Sequence, residues 1–435
     1  MKCMPASLRW KEISVIVALA VGSLALSDCW GQTKREKNVE ILNTIWETMN
    51  SQYFESTFGG LDWRREYERY LPIVEACQTN DSLYYHLNKM LFKLGVSHLG
   101  VASPEEVNEI ADPQLLLDGY AGLDVRLLNG KAIITKVFPV SSAHEMNLKL
   151  GFEITAVNHK SIEDISAKRK SEPTPPFNDR NLALMITSDI VRELYGTPGN
   201  TIDLEYLDAK NDTHSITLQL RERHLKKALV VRNMPAIYAS VESRVIDDRI
   251  GYIRFDVFHP AIADSVLQLI GRYRHLPGMI LDIRGNPGGE FGTRKAIAEQ
   301  FVGERTLFWK YLSRGGVEEV YLTPAQLPYT GELVILVDEM SCSSSEEFSG
   351  GMKAIGRGII IGNQTSGKVL TMKVVPLPEG ALFVYPNRKT MTSRNEFLEG
   401  IGVIPDIAVE LTREAILEGR DPQLERALQY LVEKE

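Results

Sequence analysis

Behind a distinct leader, apolar residues in the first part of the chain recur every three or four positions. Leu42, Ile45, Trp46, Met49 and Tyr53 paint one face of a helix. Leu83, Leu87, Met90, Leu91 and Leu94 paint a second, which Gly95 closes as a C-cap would. The pattern is helical across about residues 39–102. From about Gly119 it changes to short alternating strands. Residues 125–127 and 133–137 flank Asn129-Gly130, a strong hairpin turn pair. A short amphipathic stretch at 141–150 and a strand at 154–157 follow. Residues 163–195, which include Pro173, Pro175 and Pro176, read as an insertion ahead of alternating strands at 201–207 and 214–220.

Beyond Ile250 strands and helices alternate. Residues 250–255 and 279–283 are strands, and between them Ile262, Val266, Leu269, Ile270 and Tyr273 mark a helix face. Such a unit crosses over right-handed into a parallel pair. A helix-like run at 293–302, a buried strand at 333–337, a helix at 345–355 and a strand at 359–361 continue the series. A segment at 374–385, turning at Pro378-Glu379-Gly380, completes it.

Of the 435 residues, 44% are hydrophobic and 24% charged, which excludes disorder throughout and fibrous repeats. That length allows about three folding units. The net charge of −8 repels phosphate backbones, so no nucleic-acid partner is expected. Four cysteines (Cys3, Cys29, Cys77 and Cys342) lack zinc spacing and are too sparse for a disulfide framework. No metal or cofactor is expected.

Lys2, Arg9 and Lys11 precede an uncharged apolar run at 13–26, the pattern of an export signal over residues 1–31. The stretch Leu26-Ser27-Asp28-Cys29 resembles a bacterial lipoprotein cleavage box, with Asp28 departing from the usual small residue. Lipidation of Cys29 would hold the chain at a membrane, and ordinary cleavage near Gly31 would release it. Either way an exported, periplasmic or cell-envelope protein is expected.

Two loops leave buried strands at their carboxyl ends, where α/β sheets place their sites. Arg284-Gly285-Asn286-Pro287-Gly288-Gly289 permits close backbone approach to a ligand and lacks phosphate-binding spacing. Met340-Ser341-Cys342-Ser343-Ser344-Ser345-Glu346-Glu347 leads into a helix, whose N-terminus favours a developing oxyanion. The same serines and glutamates are also ordinary helix-capping residues. Thr365-Ser366-Gly367-Lys368 offers an amine 25 residues after Ser343. A lysine serves as a base where desolvation disfavours its ammonium form.

The motifs "GYIRF", "LDIRGNPGG", "SSSEEFSGGMKAIGRGIIIGNQTSGK" and "GIGVIPDIAVEL" together resemble the carboxyl-terminal processing (tail-specific) serine proteases. Tyr120-Ala121-Gly122-Leu123 and the "LKLGFEITAVNHKSI" stretch resemble a PDZ module, which binds peptide C-termini. The likeness implies a helical N-terminal domain (32–112), a PDZ-like α+β peptide-binding domain (113–222) and an α/β protease core with a parallel-containing sheet (223–435). It implies a serine endopeptidase acting on polypeptides, near C-termini, with self-association into a homo-oligomer left open. By the family motif the nucleophile is Ser343, the base is Lys368, and Ser344 with Gly288 or Gly289 supplies the oxyanion hole.

Three positions depart from that motif: Ser366 replaces the usual Phe, Met372 a glutamine of some members, and Ser344 an alanine. Two rival readings stay open. One is a non-catalytic binding protein for a peptide or lipophilic ligand on the same fold, since retinoid-binding relatives exist. The other is a histidine base, as in tricorn-like relatives, with His98 after Ser97 as the candidate.

Overall fold

The computed structural model describes residues 33–111, 119–172, 178–223, 226–228 and 237–434. The leader at 1–31, with Cys3 and Cys29, and the three prolines at 173–176 lie outside the described residues. Among the described residues no helix is long and apolar enough to cross a membrane.

Three helices open the fold: α1 Lys34–Gln52, α2 Trp63–Ala76 and α3 Asn80–Leu91. Thr33 starts α1 through a capping box, accepting from Glu36 N while its own N–H donates to Glu36 Oε2 at 2.7 Å. The expected face buries Ile41, Leu42, Ile45 and Met49, and Gly95 ends the α3 region in a left-handed conformation (φ 60°). The subdomain does not close its core alone. Leu370, Leu377, Phe383 and Tyr385 of the downstream core pack into it, and Arg314 donates to Tyr53 O (2.6 Å) and Asn50 O (2.7 Å) at the end of α1. The helical run also ends early: strand β1 Gly100–Ala102 pairs antiparallel with β15 Leu382–Thr392 of the core. That pairing fixes residues 97–99 against the core.

The middle module carries strands β2 Leu123–Leu128, β3 Lys131–Val137, β4 Glu153–Val157, β5 Thr201–Leu207 and β6 Thr213–Gln219 in that spatial order. The β2–β3 turn has positive φ at both Asn129 (51°) and Gly130 (79°), the requirement of a type I′ hairpin. Residues 163–195 are not an insertion. Their described residues form α4 Ile162–Ser171 and α5 Asp179–Glu193, and Leu182, Ile186 and Ile190 of α5 pack into one core with Leu123 and Val125. The prolines that suggested a loop fall in sequence between the two helices, outside the described residues.

The core sheet has the order β7 Val241–Ile246, β8 Ile250–Phe255, β9 Gly278–Asp282, β12 Glu332–Val337, β13 Ile359–Gly362 and β16 Ile407–Ala408. β7 is antiparallel to β8, and the other neighbours are parallel, so the expected strand–helix–strand unit forms with α6 Pro260–Arg272 between β8 and β9. A second, antiparallel sheet combines β1, β15, β10 Thr306–Ser313 and β11 Gly316–Leu322, with β14 Thr371–Pro376 also on β15. Helix α7 Phe291–Ala298 follows β9, α8 Ser344–Ala354 follows β12, and α9 Pro422–Glu433 ends the chain.

Helix α8 is fully buried between the sheets. Its Gly350 leaves no room for a methyl, which would stand 2.6 Å from Leu398, and Trp309 Nε1 donates to Glu347 O at 2.6 Å. Two helical glycines cost about 1 kcal/mol each relative to alanine. Burying Phe308 and Trp309 against them returns about 1.5–3 kcal/mol apiece. The close packing wins, and it fixes the loop that precedes α8.

Candidate active site

Because β9, β12 and β13 are parallel neighbours, their three carboxyl-end loops emerge side by side. These are the Arg284–Gly289, Asp338–Ser343 and Asn363–Lys368 segments. Asn286, fully buried, knots the first two: its carbonyl accepts from Cys342 N (3.2 Å) and Ser345 Oγ (2.8 Å). Asp338 adds bonds from Gly285 N (2.8 Å) and Arg126 Nε (2.9 Å), the second reaching over from β2 of the middle module.

The serine cluster sorts itself by hydrogen bonding. Ser341, Ser344 and Ser345 donate to Ile283 O, Gly289 O and Asn286 O, each at 2.8 Å. Among the described residues, the Ser343 hydroxyl donates to no protein group. Ser343 also has φ 54° and ψ −118°, a conformation that costs a non-glycine residue on the order of 1–3 kcal/mol. A sharp strand-to-helix turn of this kind pushes its side chain out of the fold as a nucleophile elbow. Three bonds over-determine it: Ser343 N donates to Lys368 O (2.9 Å) and Glu346 Oε2 (3.1 Å), and Glu347 N donates to Ser343 O (2.9 Å).

Gly288 and Gly289 flank this turn. A methyl on Gly288 would meet Ser343 Cβ and Ser344 N, both at 2.8 Å, so only glycine lets the two loops touch. The N–H of Gly288 donates to Asn286 Oδ1 at 2.9 Å, whereas Gly289 N–H and Ser344 N–H have no acceptor among the described hydrogen bonds.

Glu346 is the buried strut between the second and third loops. Its carboxylate accepts from Ser343 N, Thr365 Oγ1 (2.5 Å), Gly367 N (2.7 Å) and Lys368 N (2.9 Å). Burial pushes its pKa up to about 7 against those bonds, which favour the charged form. The only sequence signal for this role was its place in the first turn of α8, which an ordinary cap would share. Lys368 thus reaches Ser343 through backbone, while its side chain, half-buried, has no hydrogen bond or ion pair among the described residues.

A second constellation comes from the far end of the sequence. His98 Nδ1 lies 2.7 Å from Ser97 Oγ, Ser97 Oγ donates to Glu399 Oε2 (3.0 Å), and Ser97 N donates to Glu399 Oε1 (2.7 Å). Val369 N, next to Lys368, donates to the same carboxylate at 3.0 Å. With the Ser97 proton committed to Glu399, His98 Nδ1 must carry hydrogen, which leaves Nε2 as a free base. Burial, and then the nearby Lys368 ammonium, push the His98 pKa down to about 3. Glu399 gave no sequence signal, since it is 302 residues from Ser97. The Cys342 thiol is pushed up to about 12 by burial and the Glu346 charge, which disqualifies it as a thiolate nucleophile.

In the middle module, Ala121 N–H of the Tyr120–Leu123 loop donates to Leu194 O (3.1 Å), and Tyr120 is paired on both sides by short strands. Ala121 is therefore no donor to a peptide carboxylate. Gly122 N–H (φ 91° at Gly122) has no acceptor among the described hydrogen bonds. Asn178 and Arg180 at the start of α5 donate to Ser366 O (3.1 Å) and Thr365 O (3.1 Å), tying the module to the Lys368 loop. A cavity of about 220 Å³ between β2, β3 and the chain before α9 is lined by Arg126, Arg254, Arg284 and Asp421, with Ser343, His98 and Lys368 outside its walls.

Residues 249–409 match the sequence model of peptidase family S41, and residues 34–92 that of the tricorn protease C1 domain. The carboxyl-terminal-processing protease of Picosynechococcus sp. is 23% identical over 376 residues, covering 85% of this chain and 83% of that one. The tricorn protease of Thermoplasma volcanium is 23% identical over 405 residues, 92% of this chain and 36% of that one. Among solved structures, the photosystem II D1 C-terminal processing protease superposes with a TM-score of 0.59 at 19% identity, covering 89% of this chain and 97% of that one. Mature CPAF complexed with lactacystin gives 0.63 at 13%, covering 91% and 98%. The fold and these matches define a serine-type peptidase. Over residues 249–409 the chain is similar to peptidase family S41.

Proposed function

We propose that this peptidase cleaves exported polypeptides by acyl transfer through Ser343. The observation that carries the reading is the strained elbow at Ser343, whose hydroxyl donates to no described group and whose Cβ lies against Gly288. In this mechanism Ser343 Oγ attacks a peptide carbonyl, the Gly289 and Ser344 N–H groups hold the oxyanion, and water releases the acyl group. His98 Nε2 takes the serine proton and passes it to the departing amine as the C–N bond breaks, then takes one from the attacking water. Ser97 and Glu399 fix its tautomer and stabilise the charge that forms. A second reading gives the proton to the Lys368 amine, favoured by the backbone bond that sets Lys368 beside Ser343. The Gly122 loop and the open edge of β2 would take a substrate's C-terminal segment in a PDZ-like manner, and residues 1–31 would export the chain, with or without a lipid on Cys29. The test is incubation of the mature wild-type chain with reduced β-casein. New peptides by mass spectrometry are expected, and an intact casein band at all enzyme concentrations would reject the proposal.

The pH profile should carry the signature of Glu346. Only its ionised form accepts all four bonds that align the Ser343 and Lys368 loops, so kcat/KM should rise with pH about a midpoint near 7. His98, held neutral down to about pH 3, contributes no limb there. Stability runs the other way. Folded Glu346 keeps its proton to about 7, while the unfolded carboxyl loses it near 4.5, so the urea midpoint should fall as pH rises between those values and then level. Glu346→Gln should remove both trends at reduced activity. A wild-type profile flat from pH 5 to 8 would contradict this role.

A Gly288→Ala variant should lose about 10²–10³-fold in kcat, because the methyl strikes Ser343 Cβ and Ser344 N and spoils the oxyanion geometry. Steady-state kinetics beside a circular dichroism melt would separate this from unfolding, and near-wild-type kcat would refute it.

A further inference from the structure

We infer that Phe291 is the platform of a substrate subsite that selects an apolar side chain next to the scissile bond. The inference rests on the peptidase reading above and adds its selectivity. Phe291 opens α7 two residues beyond Gly289, and it is 44% exposed although it is a large aromatic side chain. Its ring is nonetheless held firmly from behind. Arg294 Cζ stands 5.0 Å from the ring centroid, and the Tyr311 ring 6.4 Å away.

Arg294 cannot shift to let the ring turn away. It is buried, ion-paired with Glu347, and donates to Tyr311 Oη at 2.8 Å and to Ser344 Oγ at 3.3 Å. The guanidinium that backs Phe291 is therefore the one that touches Ser344, whose N–H is an oxyanion donor. Phe291 is thus tied to both oxyanion donors, through Arg294 to Ser344 and through the chain to Gly289 two residues back, whose carbonyl accepts from Ser344 Oγ. An exposed aromatic face on rigid backing gains by being covered, and a peptide side chain lying beside the attacked carbonyl is the group placed to cover it. Glu290, the next residue back, is part-exposed and would repel an acidic side chain at the same position.

A difference of this kind in a hydrophobic pocket is worth about 10–200-fold between substrates. The test digests β-casein with wild type, Phe291→Ala and Phe291→Leu, and ranks initial cleavage rates by the residues on either side of each cut. In wild type one flanking position should favour Leu, Ile, Met and Phe. In Phe291→Ala the ratio of apolar-site to Ala/Ser-site cleavage should fall about tenfold, and Phe291→Leu should restore most of it. An unchanged ratio, or an equal loss at every site, would overturn the inference. Failure of wild type to cleave at all would count against the peptidase reading instead. The subsite is then read by binding to Ser343→Ala of fluorescent casein peptides carrying Leu or Ser at that position. Adding Phe291→Ala should weaken the Leu peptide alone about tenfold, and equal weakening of both would again overturn the inference.

Discussion

Ser343→Ala should lower kcat by on the order of 10⁶-fold while leaving the fold and peptide affinity in place. The Ser343 hydroxyl donates to no described group and at most caps α8, whereas Ser341, Ser344 and Ser345 each donate to backbone carbonyls of the neighbouring loop. Removing it takes away no donated hydrogen bond, and the bonds that hold the turn run through backbone N–H and C=O groups. Alanine at this position therefore silences the chemistry without loosening the loop. Ser345→Ala is the informative contrast. It removes one of the two donors to the buried Asn286 carbonyl, which keeps Cys342 N, and should cost about 0.5–1.5 kcal/mol of stability in urea unfolding. Residual Ser343→Ala cleavage above about 1% of wild type would place the nucleophile elsewhere.

The second large effect concerns the base. His98→Ala should cost about 10³-fold or more in kcat, and Lys368→Ala less than tenfold. The histidine has a defined tautomer, an Nε2 with no hydrogen bond among the described residues, and a hydroxyl and carboxylate placed to stabilise an imidazolium. Among the described residues, Lys368 has no polar partner to orient its amine. It contributes backbone to the elbow and a positive charge beside His98 and Glu399. Glu399→Gln should follow His98→Ala more mildly, because Ser97 N and Ser97 Oγ keep an oxygen to donate to. Single-turnover kinetics on one casein-derived peptide would measure all three. The reverse ranking, Lys368→Ala inactive and His98→Ala active, would move the base to lysine.

Much of this architecture was legible because local chemistry and final contacts coincide. The hairpin at Asn129-Gly130, the strands at 250–255 and 201–207 and the helix after Ser343 each declare themselves by turn residues or periodicity, and each appears in place. The stretch at 163–195 did not, because its prolines masked the helical spacing of Leu182, Ile186 and Ile190. The β10–β11 hairpin also went unseen; its outer strand exposes Val317 and draws little signal from burial.

At the site, the loops at 284–289 and 340–347 could be read because glycines and serines cluster where buried strands end. Their division of labour could not. Whether Gly288 or Gly289 donates depends on Asn286 Oδ1, and which serine is free depends on three carbonyls of another loop. Glu399 and Ser97 are the extreme case, since only the pairing of β1 with β15 and the packing of the helical subdomain bring them together. Local sequence carries no trace of that meeting.

The most direct test is labelling of the mature chain with a fluorophosphonate, followed by peptide mapping. One adduct on Ser343 is expected in wild type, greatly slowed in His98→Ala and absent from Ser343→Ala. No adduct on the folded wild-type chain, or an adduct on a different residue, would contradict the assignment of Ser343 as the activated nucleophile.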